Sequence, residues 1–481
     1  MKLAYDIKDK PKIPQLIVFA FQQLLAILAA TIAVPAIVGN EMQQSAALFG
    51  AGVGTIVYLL FTRFRSPVFL GSSFAFLGSM FAAFGGAATA GLTQKAGYAG
   101  LILGAFFAGL VYVVIALIVK FAGVKWIDKL MPAVVIGPTV SIIGLSLAGN
   151  AVGDIFLGKV MTESVPELLV GGSPVDVTAQ KVLLNGSAVE PSMVSTASPY
   201  VALICGLITL FTVMIASVFG KKMAKLIPFI IGILAGYCAA TIFTVIGIKT
   251  NNPALQVIDF SVFKDMSIFA VPEFTFTKGI AGLKEIDGKY ILTILAAYVP
   301  VAFVVFAEHI ADHKNLSSVI NKDLLKDPGL HNTLLGDGVG SMVGAFFGGC
   351  PNTTYGESVG CVAITGNASI VTILTTAIMA IVISFFDPFV TFLSTIPNCV
   401  MGGVCITLYG FIAVSGLKMI QKVNLDENHN LFVVAVILIC GIGGMTLNFG
   451  SVTITEVACA LILGIITNLV LNRKKKTAET K

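Results

Sequence analysis

The sequence predicts an all-α polytopic membrane protein, and three observations lead to that prediction. Of the 481 residues, 56% are hydrophobic and 11% are charged, whereas soluble globular chains carry roughly 25% charged residues. The mean hydropathy is +0.94, and apolar stretches long enough to cross a bilayer recur along the whole chain. Further apolar segments in both halves of the chain are interrupted by glycine, proline or polar residues.

Ten uninterrupted apolar stretches are predicted to be membrane-spanning helices, since about 20 residues cross the hydrocarbon core. They are 13–38, 46–61, 97–119, 131–147, 201–219, 227–248, 291–307, 370–386, 431–445 and 457–470. Three more segments are apolar but broken, namely 66–84, 334–364 and 389–414. Together these segments predict twelve to fourteen membrane passages.

Basic residues predict the orientation of the spans, because short cytoplasmic loops are enriched in Lys and Arg. Such residues gather before residue 13 and at 63–65, 120–129, 221–225, 314–326, 418–422 and 473–476. These clusters follow every second span, so the number of spans is predicted to be even and both termini cytoplasmic. The longer loops 150–197 and 249–288 are then external. The net charge of +5 follows from this bias and gives no reason to expect nucleic acid as a partner.

The cysteines do not indicate a metal or disulfide site. All eight lie in or near apolar segments without Cys-x-x-Cys spacing, which is typical of small core residues. The sequence also lacks a recognisable nucleophile–base set and a phosphate-binding loop, which argues against an enzyme. No cofactor is expected.

Five carboxylates fall inside or at the edge of apolar runs: Glu308, Asp312, Asp337, Glu357 and Glu456. An ionised group there costs on the order of 3 kcal/mol and normally faces a cavity or a partner. Glu456 opens the last span, where an acid suits the helix dipole, so a structural role is predicted. For Asp337, between two glycines, a packing hydrogen bond and a place in a site both stay open. Glu308 and Glu357 are predicted to be functional.

Glu308 and Asp312 are four residues apart and share a helix face, as do His309 and His313. This pattern differs from the His-Glu-x-x-His of zinc helices, and no third ligand is near in sequence, so no metal site is predicted. His309 and His313 are instead predicted to meet water at a helix end.

The second broken segment contains the stretch CPNTTYGESVGCVAITG, residues 350–366. Pro351 cannot donate a backbone hydrogen bond, the glycines weaken helix, and the threonines and tyrosine favour extended backbone. A short extended segment that leads into a half-helix is therefore predicted. Broken backbone at membrane depth is tolerated where it is buried or lines a cavity, and its free N–H groups then bind ligands. Glu357 is predicted to face a substrate at this break.

A matching break lies in the first half, in SPVFLGSSFAFLGSMFAAFGG at 66–86. Two serines precede Phe74 there, as two threonines precede Tyr355 in the second half. Paired interruptions in the two halves are typical of an inverted-repeat transporter whose site lies between the breaks. With fourteen spans each half contains seven, and this odd number inverts the second half.

The stretches VPVAFVVFAEHIADH, NKDLLKDPGLH and GCPNTTYGESVGCVAITG, with LGSSFAF and MGGVCITLYGFIAVSG, carry a family resemblance. From about residue 10 to 472 the chain resembles the nucleobase:cation symporters, which include the nucleobase-ascorbate transporters, and within them the bacterial uracil permease branch. AEHI and PNTTYGE are its most specific elements.

The resemblance implies fourteen transmembrane segments in two inverted repeats of seven, with two short antiparallel strands in broken segments 3 and 10. It also implies a core domain that holds the substrate and a gate domain against which the core moves. The expected bounds are core 1–123 (segments 1–4), gate 124–288 (segments 5–7 with external loops), core 289–386 (segments 8–11), gate 387–472 (segments 12–14) and a basic cytoplasmic tail 473–481.

The resemblance further implies roles for individual residues. Glu308 matches the glutamate that hydrogen-bonds a pyrimidine, and Glu357 matches the second acid beside the strand break. The backbone N–H groups of Phe74 and Gly356 match those that meet the ring carbonyls. The other residues expected in the pocket are Ser73, Tyr355, Tyr409 and Ala30. Uracil has two N–H donors and two carbonyl acceptors, which suit carboxylates and backbone amides respectively.

Three departures from the family pattern concern coupling and substrate. Asp312 stands where a histidine tied to proton coupling is common, so Asp312 is expected to replace it as a titrating group beside Glu308 and Glu357. Asp337, His309 and His313 are expected to support these groups. The chain also has Ser358 where the motif has Asn, Gly366 where a basic residue is frequent, and Gln23 where a Gln-His pair is usual.

The implied function is uracil:proton symport in the cytoplasmic membrane, with a homodimer formed through the gate domain. A proton that neutralises Glu308, or the pair of Glu308 and Asp312, would permit the movement of core against gate. A xanthine or urate carrier would need a wider pocket, and Tyr355 argues against it. A sulfate or bicarbonate carrier should offer a positive site, which the acids disfavour. Composition alone leaves a receptor or channel open.

Overall fold

A computed structural model describes residues 3–123, 126, 132–164, 168–170, 173–175, 183–184, 187–188, 192–221, 223–449 and 452–478. Most of these residues are helical, and the strands are only two to four residues long. The prediction of a mainly helical integral membrane protein with multiple spans is confirmed.

The first half of the chain contains α1 (Ile13–Val38), α2 (Gln44–Phe61), β1 (Leu70–Ser72), α3 (Leu77–Thr89), α4 (Gln94–Ala122), α5 (Ala133–Ser146), α6 (Ala148–Asp154), β2 (Met161–Ser164), β3 (Leu168–Val170), β4 (Ser173–Val175), β5 (Leu183–Leu184), β6 (Ser187–Ala188), β7 (Ser192–Ser195), α7 (Pro199–Phe219), α8 (Met223–Leu226), α9 (Pro228–Lys249) and α10 (Thr275–Gly282). A 3-10 turn, Phe74–Phe76, joins β1 to α3.

The second half contains α11 (Gly288–Ile320), α12 (Leu330–Gly348), β8 (Asn352–Thr354), α13 (Gly356–Thr365), α14 (Ile370–Ile383), α15 (Asp387–Ser394), α16 (Asn398–Ile420), α17 (Asn428–Ile442), β9 (Leu447–Phe449), β10 (Val452–Ile454) and α18 (Glu456–Ala478).

Within the described residues, eight helices are long and apolar enough to cross a membrane: α1, α2, α4, α5 together with α6, α7, α9, α11 and α16. Shorter apolar helices occupy Phe74–Thr89, Ile370–Ile383, Asn428–Ile442 and Glu456–Leu471. The total of fourteen spans stays a prediction.

The two broken segments meet in a two-stranded antiparallel sheet. Strand β1 pairs with β8, so that Leu70 lies opposite Thr354 and Ser72 opposite Asn352. The Ser73 N–H extends the ladder by donating to the Pro351 carbonyl at 2.9 Å. This pairing agrees with the strands expected in the two breaks, and it brings the starts of two short helices side by side.

Glycines allow α2 and α12 to pack with their backbones in contact. A Cβ added at Gly50 of α2 would overlap the Gly344 carbonyl of α12, and a Cβ added at Gly54 would lie 2.8 Å from the Gly340 carbonyl oxygen. Small residues spaced four apart permit such close approach of two helices. Because α12 leads directly into β8, this contact fixes the position of the second break.

The principal contacts divide the helices into two groups. The first group contains α1 to α4 and α10 to α14, and the second contains α5 to α7, α9 and α16 to α18. The groups meet where α1 contacts α9 and where α11 contacts α5, strand β10 and α18. Helices α1 and α11 therefore form the first group's side of the boundary.

Helix α11 is longer than its apolar run. It begins at an Asp287 cap, whose side chain accepts from the Tyr290 N–H at 2.8 Å, and ends before Asn321, which has left-handed backbone. His309 and His313 therefore lie inside the helix, and both are fully buried. The prediction that they meet water at a helix end was wrong, because polar side chains of neighbouring helices bind them within the protein.

Strands occur beyond the predicted pair. Strand β9 pairs with β10 just before α18, and three further antiparallel pairs lie between residues 161 and 195. Each of these strands is only two to four residues long, which is too short for an alternating pattern to be recognised in the sequence. Glu456 lies in the first turn of α18, which confirms its predicted place at a helix start.

Residues 3–9 lie along the connection between α13 and α14. The Ala4 N–H donates to the Gly366 carbonyl at 2.8 Å, and Tyr5 forms a parallel bridge with Asn367. Gly366 has a φ of +68°, and a Cβ there would lie 3.2 Å from the Ala4 nitrogen. Glycine at this departure from the family pattern therefore suits both the backbone conformation and the contact.

An ion pair holds the same segment to the end of α11. Lys322 Nζ lies 2.6 Å from a carboxylate oxygen of Asp6. The hydrogen bond from Lys322 lowers the pKa of Asp6 below its usual value. Because the folded-state pKa is below the unfolded value of about 3.9, the pair stabilises the segment above that pH and ceases to do so as the pH falls through the folded-state pKa.

We expect Gly344→Ala to destabilise the protein by about 1–3 kcal/mol, because the added methyl group has no room between α12 and the Asn352 side chain. The midpoint of thermal unfolding in detergent measures the effect. Gly85→Ala is the matched control, since nothing lies within 4 Å of its added Cβ. Equal midpoints for the two variants would contradict the packing of α12 against the Asn352 side chain.

We also expect a spin label at position 4 to be immobile at neutral pH and to gain mobility only as the pH falls through the lowered folded-state pKa of Asp6. Lys322→Gln should free the label at every pH. Lys326→Gln is the control, because Lys326 pairs with Asp323 instead. A label that stays immobile in Lys322→Gln would show that the ion pair does not hold the segment.

Candidate functional site

A cavity of about 430 Å³ lies between the two groups of helices. The first group contributes the ends of β1 and β8, the start of α13 and one face of α11. The second group contributes α5, α9 and α16. Ser217, Lys225 and Met419 line the cavity where α7 and α16 end, and the Lys225 side chain there is exposed.

Six of the eight residues predicted to bind substrate line this cavity: Glu308, Glu357, Phe74, Gly356, Tyr355 and Ser73. The other two do not reach it. Ala30 is buried in α1, and Tyr409 packs edge-on against Phe74 with 6.0 Å between ring centroids. The fold therefore brings together residues from both broken segments and from α11, as the sequence predicted.

Three carboxylates face the cavity from two helices. Glu308 and Asp312 project from α11, and Glu357 projects from the first turn of α13. Asp312 accepts a hydrogen bond from the Thr354 hydroxyl at 2.9 Å, so strand β8 fixes its orientation. Among the described residues that line the cavity, Lys225 at its mouth is the only basic one. The site is suited to a ligand with N–H donors and to a proton.

Two backbone N–H groups at the breaks are free to bind a ligand. Phe74 begins the turn after β1, and Gly356 begins α13. The first N–H groups of a helix have no acceptor within that helix. In the described part of the chain neither group donates to another protein atom. Gly356 is exposed to the cavity because it has no side chain.

Two departures from the family pattern contact each other. The Gln23 Nε2 atom of α1 donates to Ser358 Oγ at 2.6 Å, and both residues are buried. The same hydroxyl accepts from the Phe69 N–H at 3.1 Å, just before β1. Ser358 follows Glu357 directly, so this serine joins the first turn of α13 to α1 and to the first broken segment.

The residues expected to support the acids lie away from the cavity, in contact with other helices. His309 Nδ1 is 2.7 Å from Asp337 Oδ2, and His309 Nε2 is 3.0 Å from Thr333 Oγ1 of α12. His313 Nδ1 donates to the His309 carbonyl at 2.8 Å, and its Nε2 is 2.7 Å from the Tyr58 hydroxyl of α2. Asp337 thus makes a packing hydrogen bond, one of the two alternatives that the sequence left open.

The sequence did not identify the second wall of the cavity. Apolar side chains form it: Ile136, Val140 and Ile143 of α5, Pro228 and Phe229 of α9, and Leu408, Phe411 and Ile412 of α16. Such residues look like any other apolar helix positions in a sequence. Only the packing of one helix group against the other brings them to the site.

The fold resembles that of solved transporter structures. The chain superposes on the transmembrane domain of a cyanobacterial bicarbonate transporter, BicA, with a TM-score of 0.60, 16% identity and coverage of 96% of this chain and 99% of that one. It superposes on the murine anion transporter Slc26a9 in its inward-facing state with a TM-score of 0.64, 11% identity and coverage of 97% and 69%. At such identities the likeness concerns the fold alone.

Sequence relatives are closer. The uracil permease of Bacillus caldolyticus is 36% identical over 99% of this chain and 97% of its own length. The uracil permease of Bacillus subtilis is 35% identical over 100% and 98%, and that of Escherichia coli K12 is 31% identical over 97% and 94%.

A sequence model of the permease family that covers xanthine and uracil permeases matches residues 14–187 and 167–449. The paired strands, the acids around one cavity and the full-length similarity to named uracil permeases all agree with this match. This chain therefore belongs to the xanthine/uracil permease family.

Proposed function

We propose that this protein imports uracil across the cytoplasmic membrane by proton symport. One observation gives the main support: two carboxylates and two free backbone N–H groups face a single cavity, where Glu308 and Glu357 accept and Phe74 and Gly356 donate. Uracil is flat and has two N–H donors and two carbonyl acceptors, so each of its polar atoms finds a partner. The names of the full-length relatives support the same substrate.

The faces of the ring need apolar contacts as well as polar ones at its edge. Tyr355 and Phe74 on one side and Phe229 on the other line the cavity and supply such surfaces. The Tyr355 hydroxyl donates to the Ser72 carbonyl at 2.8 Å, which holds the ring in place across the sheet. The aromatic wall therefore moves with the strands that orient the backbone donors.

Proton coupling follows from the crowding of the acids. Glu308, Asp312 and Glu357 face one cavity in a low-dielectric region, and like charges there disfavour simultaneous ionisation. A proton that binds Glu308, or is shared between Glu308 and Asp312, removes this repulsion and stabilises the loaded carrier. Asp312 takes the coupling role that a histidine has in the family pattern, with Thr354 as its fixed partner.

The transport movement is a displacement of a core domain against a gate domain. The core (1–123 and 289–386) and the gate (124–288 and 387–472) are supported by the two groups of helices and by the cavity between them, apart from α10, which falls within the gate bounds but packs with the first group. The cavity leads to Lys225 and Met419, near basic clusters that the orientation rule assigns to the cytoplasm. The conformation is then inward-facing, and fourteen segments in two inverted repeats complete the architecture.

A purine carrier of the same family is the principal alternative. The match to a family of xanthine and uracil permeases favours neither substrate by itself. The anion carriers with this fold are a weaker alternative, because the carboxylates would repel an anion in the cavity.

The test is uptake of radiolabelled uracil into proteoliposomes with an imposed inward pH gradient, with and without excess unlabelled xanthine. We expect gradient-driven uptake that xanthine does not reduce. Uptake that xanthine abolishes would favour the purine alternative, and an absence of uracil uptake would overturn the proposal.

We expect Glu308→Gln to reduce gradient-driven uracil uptake by at least about tenfold, because an amide cannot bind the coupling proton. Exchange of internal for external uracil without a gradient should fall less. Glu456→Gln is the control, since Glu456 lies at the start of α18 outside the cavity lining. If uptake by Glu308→Gln still follows the pH gradient, Glu308 is not the coupling group.

We expect Ser358→Ala and Gln23→Ala each to raise the KM for uracil by about tenfold, since loss of the shared hydrogen bond costs about 1.4 kcal/mol and loosens the turn that holds Glu357. The double variant should be no worse than either single one, and Ser358→Thr should restore most of the affinity. Tyr237→Phe, which loses a 2.9 Å contact with Thr395 in the second helix group, is the control. Additive effects would contradict a joint role.

A further inference from the structure

In the described part of the chain, three buried polar atoms close to α11 have no hydrogen-bond partner. They are Asp337 Oδ1 of α12, the Tyr112 hydroxyl of α4 and Thr353 Oγ1 of β8. Their residues are 1%, 4% and 3% exposed respectively. A buried polar group without a partner costs about 1–3 kcal/mol, and such groups are few in native proteins. Three of them in one region call for a functional explanation.

The residues of these three atoms lie close to one another. Thr353 lines the cavity. The Tyr112 hydroxyl lies close to the Thr353 side chain and within electrostatic reach of the Asp337 carboxyl. The position of Tyr112 follows from packing, because a Cβ added at Gly338, next to Asp337, would lie 2.7 Å from Tyr112 Cβ. Tyr112 therefore stands between a cavity wall and a carboxylate that the cavity does not reach.

The other oxygen of Asp337 is already engaged. His309 Nδ1 lies 2.7 Å from Asp337 Oδ2, and His309 Nε2 lies 3.0 Å from Thr333 Oγ1, whose hydroxyl donates to the Leu330 carbonyl at 3.0 Å. Both ring nitrogens of His309 are therefore engaged without a contact to Asp337 Oδ1. Within the described residues Oδ1 is thus the free acceptor of the pair, and Gly338, the next residue of α12, contacts Tyr112.

We propose that Asp337 is a second proton-binding site, which exchanges protons with the cavity through the hydroxyls of Thr353 and Tyr112. The inference rests on the proton symport proposed above. In each transfer the Thr353 oxygen takes a proton from the cavity side and passes its own proton to the Tyr112 oxygen, which passes its own to Asp337 Oδ1. One proton moves in total, and the reverse sequence returns it.

The charges around Asp337 link this site to the transport site. His309 of α11 lies next to Asp337, and His313 stacks on His309. Glu308 and Asp312 of the same helix lie within electrostatic reach of Asp337, as do Tyr112 of α4 and Tyr58 of α2. A negative charge on Asp337 and negative charges on the cavity acids disfavour one another. Uracil binding at Glu308 therefore changes the proton occupancy of Asp337 as well as that of the cavity.

The experiment counts protons. Purified full-length protein in weakly buffered detergent solution is mixed rapidly with uracil, and a pH-indicator dye follows proton uptake or release over time at several pH values. The variants are Asp337→Asn, which removes the site, and Tyr112→Phe, which breaks the route. Tyr298→Phe is the matched control, because among the described residues its hydroxyl is also buried without a partner, while its ring stacks on Phe76 instead.

We expect Asp337→Asn to exchange fewer protons per bound uracil than the wild type, and Tyr112→Phe to exchange them at least about tenfold more slowly. Tyr298→Phe should match the wild type in both respects. Equal proton numbers in Asp337→Asn and wild type, or equal rates in Tyr112→Phe and Tyr298→Phe, would overturn the proposal.

Two further measurements keep the outcomes separate. Because Asp337→Asn can fail to fold, two other tests address the same site. One is the variant His309→Gln. The other is the infrared band of a protonated carboxyl group, which is expected in the wild type and should be reduced in any folded Asp337 variant. If wild-type uptake follows a sodium gradient and no pH gradient, the proposed proton symport fails and this inference with it. If wild-type uptake follows the pH gradient but neither variant differs from the control, only the second proton site is excluded.

Discussion

A peptide backbone that leaves the helical conformation at membrane depth must satisfy its polar groups without water. Here the strands β1 and β8 pair with each other, and within the described residues the N–H groups of Phe74 and Gly356, just beyond the strands, donate to no other protein atom. The rest of the first helix group depends on this pairing. Glycines let α2 and α12 approach closely enough to hold the strands together, and the Ser358 hydroxyl fastens the start of α13 to α1 and to the approach of β1.

The sequence predicted the elements whose physical signals are local. Glu308 is recognisable as a charge within an apolar run, and Glu357 by the proline and glycines around it. Each signal lies in a single stretch of sequence, and both glutamates line the cavity. The sequence failed for His309 and His313 because their partners, Asp337 and Tyr58, lie on other helices. The contact between Gln23 and Ser358 could not be predicted for the same reason, although both residues depart from the family pattern.

The distribution of charge separates this chain from the anion transporters that share its fold. Helix starts favour anions, yet here Glu308, Asp312 and Glu357 face the same cavity as two of them. The fold supplies backbone donors, and the side chains then decide which ligand can use them. With three acids facing the donors, a neutral hydrogen-bonding ring and a proton fit the site better than an anion does.

The pairing of β1 with β8 also has a consequence for biosynthesis. The two strands come from opposite halves of the chain, so β1 enters the membrane well before β8 has been made. Until then its backbone has an unpaired edge, which is a state that favours association with other chains. Contacts between distant parts of a sequence form slowly because the intervening chain must first be ordered. The binding site is therefore completed late in synthesis. Until the second half has been inserted, quality control must keep the first half from associating with other chains.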